Sequence, residues 1–297
     1  MRRNLGVLLF EAAERCGSEG SAAERRLLVT ARPCILPAFS CGIATEASNF
    51  PGFIGVRVVR PVRPDLPYRT VLRIRTLWWI VLSGMLFNFN AYAINVFQTP
   101  FLQRFHELSL RDANMLSGLS LGLAGAIGLL LGGWLGDRLR IVLPTARVLL
   151  PAIALLISAP CVVIALQQPK GGVVAFALLM GTSTALSFAY YSTVYSAIQD
   201  VVPANLRGTA VSLYFFAMYV LGASFGSTIM GALSDFFAHQ AMIAAGATAM
   251  ADAFRAAGLH NAMHVIPVLM LLCSGSLFGA ARTIPADMKR MAQANDK

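Results

Sequence analysis

The sequence predicts an all-α polytopic membrane protein whose six transmembrane helices form two inverted three-helix repeats. Three observations lead there. Hydrophobic residues make up 57% of the chain and charged residues 13%, against about 25% charged in a typical soluble domain; the mean hydropathy is +0.65. Apolar runs long enough to cross a bilayer follow one another from Leu77 onward. The connections between them sort by charge, with arginine gathered on alternate loops.

Residues 118–140, GLSLGLAGAIGLLLGGWLGDRLR, show the pattern most fully. Glycines recur at Gly118, Gly122, Gly128, Gly132 and Gly136, and the run ends in Asp137, Arg138 and Arg140. Small residues four apart let a second helix approach closely in lipid, where apolar surface alone does not favour one neighbour over another. The charged end belongs at the water interface, because a charge at the bilayer centre costs at least about 2.5–3.5 kcal/mol.

In chain order, residues 1–72 are arginine-rich, contain no lysine and carry scattered prolines. The opening MRRNLGVLLF has the start of a signal-peptide pattern, but Glu11 and Glu14 interrupt it. We expect a poorly ordered cytoplasmic arm; the alternative is that these residues are a shifted reading frame upstream of a membrane half. Spans are expected at 77–99, 113–136, 148–166, 173–198, 209–236 and 262–281, within a transmembrane domain of residues 73–284, followed by a cytoplasmic tail, 285–297. One set of connections holds Arg69, Arg73 and Arg75, then Arg138, Arg140 and Arg147, then Arg207, then Arg282, Lys289 and Arg290. The other holds Arg104 and Arg111 with Glu107 and Asp112, then Lys170, then Arg255 beside Asp252. Positive loops stay in the cytoplasm, so six crossings and two cytoplasmic termini in the cell (inner or plasma) membrane are expected. The alanine-rich stretch 238–258 reads as an interfacial helix, with Ile243, Met250 and Phe254 near one face.

The second span can be laid on the fifth with one constant offset, matching Leu123 with Leu221, Gly128 with Gly226, Gly133 with Gly231, Leu135 with Leu233, and Asp137 with Asp235. The two aspartates then emerge on opposite sides, as in the inverted repeats of secondary transporters.

At these residues the chain resembles a known family. GGWLGDRLR is similar to the signature that the major facilitator superfamily carries at the cytoplasmic turn after the second helix of a half. TPFLQRFHELSL and QDVVPANLRGTAVSLYFFAMYVLG resemble the carboxy-terminal half of its spinster-like branch, whose members are associated with lysolipids and sphingosine phosphate. The superfamily builds twelve helices in two halves around a central cavity, and this chain shows six. The resemblance therefore implies half a transporter: a truncated product, a half that pairs with another chain, or a self-dimer.

Two polar faces are candidates for a substrate pathway. Asn88, Tyr92, Asn95 and Thr99 share one face of the first span, and Thr184, Ser187, Tyr191 and Tyr195 one face of the fourth. Polar side chains in lipid must face protein or a water-filled cavity, so the alternative is hydrogen bonding within the bundle. The resemblance implies the pathway, since the first and fourth helices of each half line the cavity in that family. The charges Asp137, Arg138, Arg140, Asp200 and Arg207 suggest a cytoplasmic latch in which Asp137 or Asp200 pairs with Arg138 or Arg207. Exposed ion pairs of little weight are the alternative.

Other patterns are discounted. GASFG lies inside a span, where the strand-to-helix turn of a hydrolase elbow cannot form. His260 and His264 have metal-ligand spacing but no accompanying glutamate. The five cysteines, Cys16, Cys34, Cys41, Cys161 and Cys273, form no metal-type pair, and a net charge of +10 without interleaved aromatics does not describe a nucleic-acid binder. The expectation is a secondary transporter, not an enzyme, with no cofactor, no metal and no nucleic acid. It moves a small or lipid-like organic solute by alternating access, with the lipid bilayer and a second six-helix half or a self-dimer as its expected partners. The alternative is a non-transporting membrane fragment, partner subunit or scaffold.

Overall fold

The computed structural model describes residues 71–143, 145–203 and 206–295, with side chains through Arg290. All of them fall within the unit Pro61–Lys297. The expected arm, 1–72, lies outside the described residues except for Val71 and Leu72. Six helical spans follow: α1 (Arg75–Arg104), α2 (Leu110–Arg140), α3 (Ala146–Leu166), α4 (Val173–Val201), α5 (Arg207–Ala244), and a sixth made of α6 (Asp252–Met263) and α7 (Val265–Asn295). Most exceed the apolar runs, because helical hydrogen bonding continues into the polar flanks.

The ends have local causes. Ser109 caps α2 by accepting from the Asp112 amide at 3.2 Å while donating to the Asp112 carboxylate at 2.8 Å. The start of α1 is capped from a distance. Asp287 of α7, 7% exposed, accepts from Thr76 N at 3.0 Å and Thr76 Oγ1 at 2.7 Å. α7 runs through Pro285 to Asn295, into the expected tail, and its buried acid ties the first span to the last.

The stretch 238–258 also differs from expectation. Its first part completes α5, which stops in a Schellman motif: Gly246 takes a φ of +65°, Gly246 N donates to Ile243 O, and Ala247 N donates to Met242 O. Its last part begins α6, where Gly258 sits so close to the Ser234 carbonyl that a Cβ would lie 2.5 Å from that oxygen. Alanine-rich composition masked a glycine stop, and no continuous interfacial helix forms. α6 gives way to α7 at His264 because Pro267 has no amide for the Met263 carbonyl.

The inverted repeat is visible in the packing. α2 lies on α4, and α5 lies on α1. A Cβ on Gly128 would overlap the Ala185 carbonyl, and one on Gly226 would lie 2.6 Å from the Phe89 carbonyl. The offset that pairs these glycines also carries the wide, π-type turn of α2 (Ser120–Ala124) into that of α5 (Ala217–Ala223), and lays α1 on α4. Large apolar side chains such as Leu130, Trp134, Phe216 and Phe236 are exposed on α2 and α5, as expected where the solvent is lipid or another helix.

Candidate functional site

α1, α4 and α5 meet at Asn88. Its side chain is 1% exposed, and its Nδ2 donates to the Met218 carbonyl at 3.0 Å, within the wide turn of α5. The Tyr191 hydroxyl donates to Asn88 Oδ1 at 3.3 Å. Behind this pair, Phe87 stacks on Tyr190 at 4.1 Å, and the Tyr190 hydroxyl lies 2.8 Å from Ser83 Oγ and 3.1 Å from the Tyr214 hydroxyl. An aromatic band continues from Tyr191 through Tyr195 to Phe215 and Tyr219. Tyr92 and Asn95 are exposed on α1.

The eight expected pathway residues are thus divided. Asn88, Tyr191 and Tyr195 come together, and Tyr92 and Asn95 stand on the exposed side of α1. Thr184 and Ser187 turn toward neighbouring helices instead. Thr184 donates to the Met180 carbonyl and faces Ser120 of α2 at 3.4 Å, while Ser187 is 3.2 Å from Ser158 of α3. Thr99 donates to Ser117 of α2 at 3.0 Å. Asn95, Thr184 and Ser187 still share a narrow cavity of about 30 Å³ with Asn90 and Ser183, enough for one water. The Asn90 Oδ1 is buried there without a protein partner. Asn90 was missed because it falls off the helical face that Asn88, Tyr92 and Asn95 share.

The charges at the arginine-rich end form one network with a different centre from the one expected. Arg147 Nη2 is 2.9 Å from Asp137, Arg147 Nη1 is 2.9 Å from Asp200, and Arg140 Nη2 is 2.8 Å from Asp200. Neither Arg138 nor Arg207 takes the expected role. Arg138 follows Asp137 directly, so the two side chains diverge around the helix, and its guanidinium lies over the Trp134 ring at 4.9 Å. Arg207 is exposed at the start of α5. Arg147, across the turn at the start of α3, reaches both acids and ties α2, α3 and α4 together.

At the opposite end His260 Nε2 bonds the Leu166 carbonyl, and His264 Nδ1 bonds the His260 carbonyl, both at 2.9 Å. Among the described residues no three His, Cys, Asp or Glu side chains are grouped to hold a metal ion.

Known proteins share this fold. The family model described as Major Facilitator Superfamily matches residues 9–227. The chain belongs to the major facilitator superfamily. An MFS-type efflux pump of Mycolicibacterium smegmatis is 30% identical over 61% of this chain and 43% of its own length. Protein spinster homolog 3 of Homo sapiens is 28% identical over 50% of this chain and 28% of its own length. The crystal structure of a bacterial homolog to the human lysosomal transporter Spinster, inward-facing and unoccupied, superposes with a TM-score of 0.67 at 24% identity, covering 74% of this chain and 50% of that one. The chain spans about half the length, or less, of these relatives. The related superfamily proteins are transporters rather than enzymes.

Proposed function

We propose that this chain is one six-helix half of a secondary transporter that moves a small or amphipathic organic solute by alternating access. The Asn88–Tyr191 pair carries the reading. It sets an amide and a phenol where three helices meet, beside an aromatic band that suits a solute with polar and apolar parts. Tyr92, Asn95 and Tyr219 are exposed near it and form one wall. A second six-helix half, from another chain or a second copy of this one, supplies the facing wall. In the cycle, the Asp137–Arg147–Asp200–Arg140 network holds the cytoplasmic side and loosens as the halves rock. The chain sits in the cell membrane with both termini cytoplasmic.

The test is flux. Proteoliposomes containing the purified full chain are assayed for movement of a fluorescent lysolipid and an amphipathic dye, with cross-linking to count copies. Saturable flux that falls several-fold in Tyr191→Phe supports the carrier. No flux under conditions where the chain is folded favours the second reading, a fragment or partner subunit, which its share of the relatives' length also supports.

A further inference from the structure

The inverted repeat pairs more than its glycines. The register that lays Gly128 on Gly226, and Ala185 on Phe89, also lays Ser120 on Met218 and Thr184 on Asn88. Both of these pairs are in contact. Asn88 Nδ2 donates to the Met218 carbonyl at 3.0 Å, and Ser120 Oγ lies 3.4 Å from Thr184 Oγ1. In each repeat, therefore, a polar side chain meets the wide turn of the neighbouring helix at the same place. Wide turns interrupt the regular run of helical hydrogen bonds and let a helix bend. Each repeat thus has a hinge and a polar group set to hold it.

The two hinges stand in different positions. At the turn of α5 a Cβ on Gly222 would lie 2.7 Å from the Met85 carbonyl, so α5 rests on the backbone of α1. In the same register the matching pair of the other repeat is Ala124 and Gly181. There a Cβ on Gly181 would stand 3.9 Å from the Ala124 Cβ, an ordinary contact. A cleft of about 390 Å³ lies alongside, between Leu119, Ser120 and Leu123 of α2 and Leu178, Gly181 and Thr182 of α4. The side-chain bonds agree. Thr184 spends its proton on the Met180 carbonyl at 2.8 Å, so Ser120 donates to it across the longer 3.4 Å. α5 is shut on α1, and α2 stands off α4. One amide joins the two repeats, because Asn88 also accepts from Tyr191, about two turns along α4 from Thr184.

We propose that the wide turns of α5 and α2 are a coupled pair of hinges, latched by Asn88 and by Thr184, of which one closes as the other opens. In transporters built of inverted repeats the two copies move against each other around one site. Copies of one unit in unlike positions therefore define two states, related by exchanging those positions. The cleft beside Ser120 gives α2 the space to close on α4, which shortens the Ser120–Thr184 bond. Asn88, on leaving Met218, keeps Tyr191 as its partner, so α1 follows α4 as α5 is released. This puts a moving part inside the six-helix half, beyond the rocking of one half against another. Its use in alternating access rests on the function proposed above; the hinges themselves do not.

Hydrogen exchange of the full chain in detergent, read by mass spectrometry on peptides covering 120–124 and 217–223, tests this whether or not solute is carried. Asn88→Leu frees the α5 hinge. Exchange at 217–223 rises about two- to ten-fold, the effect of one lost hydrogen bond, and exchange at 120–124 falls. Gly181→Leu fills the cleft and holds the α2 hinge open. Exchange at 120–124 then rises and exchange at 217–223 falls, since coupling between two sites is reciprocal. A change confined to the substituted repeat, a change of the same sign in both turns, or no change in either overturns the proposal. Faster exchange in every span of Asn88→Leu would report a loosened fold, and Gly181→Leu, which adds its side chain to open space, then decides alone. Reciprocal exchange without flux keeps the hinges and removes the carrier; flux without reciprocal exchange does the opposite.

Discussion

The Tyr191 hydroxyl reaches Asn88 Oδ1 across 3.3 Å, and the other end of the same amide is held by the Met218 carbonyl. Asn88 thus joins α4 to α5 through α1. The two residues separate stability from function. Asn88→Leu strands a buried carbonyl and lowers stability by about 1–3 kcal/mol, read as a lower melting temperature in detergent. Tyr191→Phe removes one long hydrogen bond, changes stability by less than about 1 kcal/mol, and reduces solute flux several-fold if the pair lies on the pathway. Unchanged flux in Tyr191→Phe would remove that residue from it.

The glycine contacts predict opposite outcomes for one chemical change. Gly118→Ala meets nothing within 4 Å and should stabilise α2 by about 0.5–1 kcal/mol by lowering backbone freedom in the unfolded chain. Gly128→Ala forces its Cβ into the Ala185 carbonyl, and Gly226→Ala lies 2.6 Å from the Phe89 carbonyl. Since backbone cannot swing aside, each should cost about 1–3 kcal/mol. Thermal melts of the three variants check this; a neutral Gly226→Ala would argue against the repeat's paired contacts.

The helices and the close approaches at Gly128 and Gly226 were legible because apolar length and glycine spacing are local signals, whereas the helices that make those approaches, α4 and α1, were not. The site was legible only in part. Asn88 and Tyr191 stand out as large polar groups in apolar runs, whereas Ser83, Ser158 and Ser183 look like packing residues until a partner on another helix is known. Thr184 and Ser187 share a face with Tyr191 in projection, yet Ser158 on α3 and Ser120 on α2 take them. Arg147 and Asp287 owe their importance to tertiary neighbours, which no window of sequence contains. Gly246 was readable as a helix stop, but the alanines around it obscured that signal.

The charged network predicts unequal acids. Asp200 is 16% exposed and bonds both Arg140 and Arg147, while Asp137 is 72% exposed and bonds Arg147 alone. Asp137→Asn should change stability by no more than about 1 kcal/mol. Asp200→Asn should cost about 1.5–3 kcal/mol, because it weakens two charge-assisted hydrogen bonds and leaves Arg147 half-paired. Melting in low and high salt distinguishes them, since only the exposed pair is strongly screened. Equal effects would mean that the network is not organised around Arg147.

His106 predicts an acid-sensitive junction at the other end. It follows α1 and is 6% exposed, packed among Phe101, Phe105 and Phe176 with ring centroids 5.2–5.6 Å away, and both its ring nitrogens lack partners. Burial, followed by the neighbouring His260, holds its pKa below the ordinary value of 6.5. Near it, Glu107 pairs with Lys170 at 3.4 Å, Arg104 is exposed, and His264 stacks edge-on to His260. Because the folded pKa is the lower one, the unfolded chain binds the proton first, so stability falls as pH drops below about 6.5 until the folded pKa is crossed. Melts at pH 7.5 and 5.5 should show the acid form less stable. His106→Phe, which fills the same aromatic box without a titrating group, should flatten that difference. A pH dependence of undiminished size in the variant would assign it to another group.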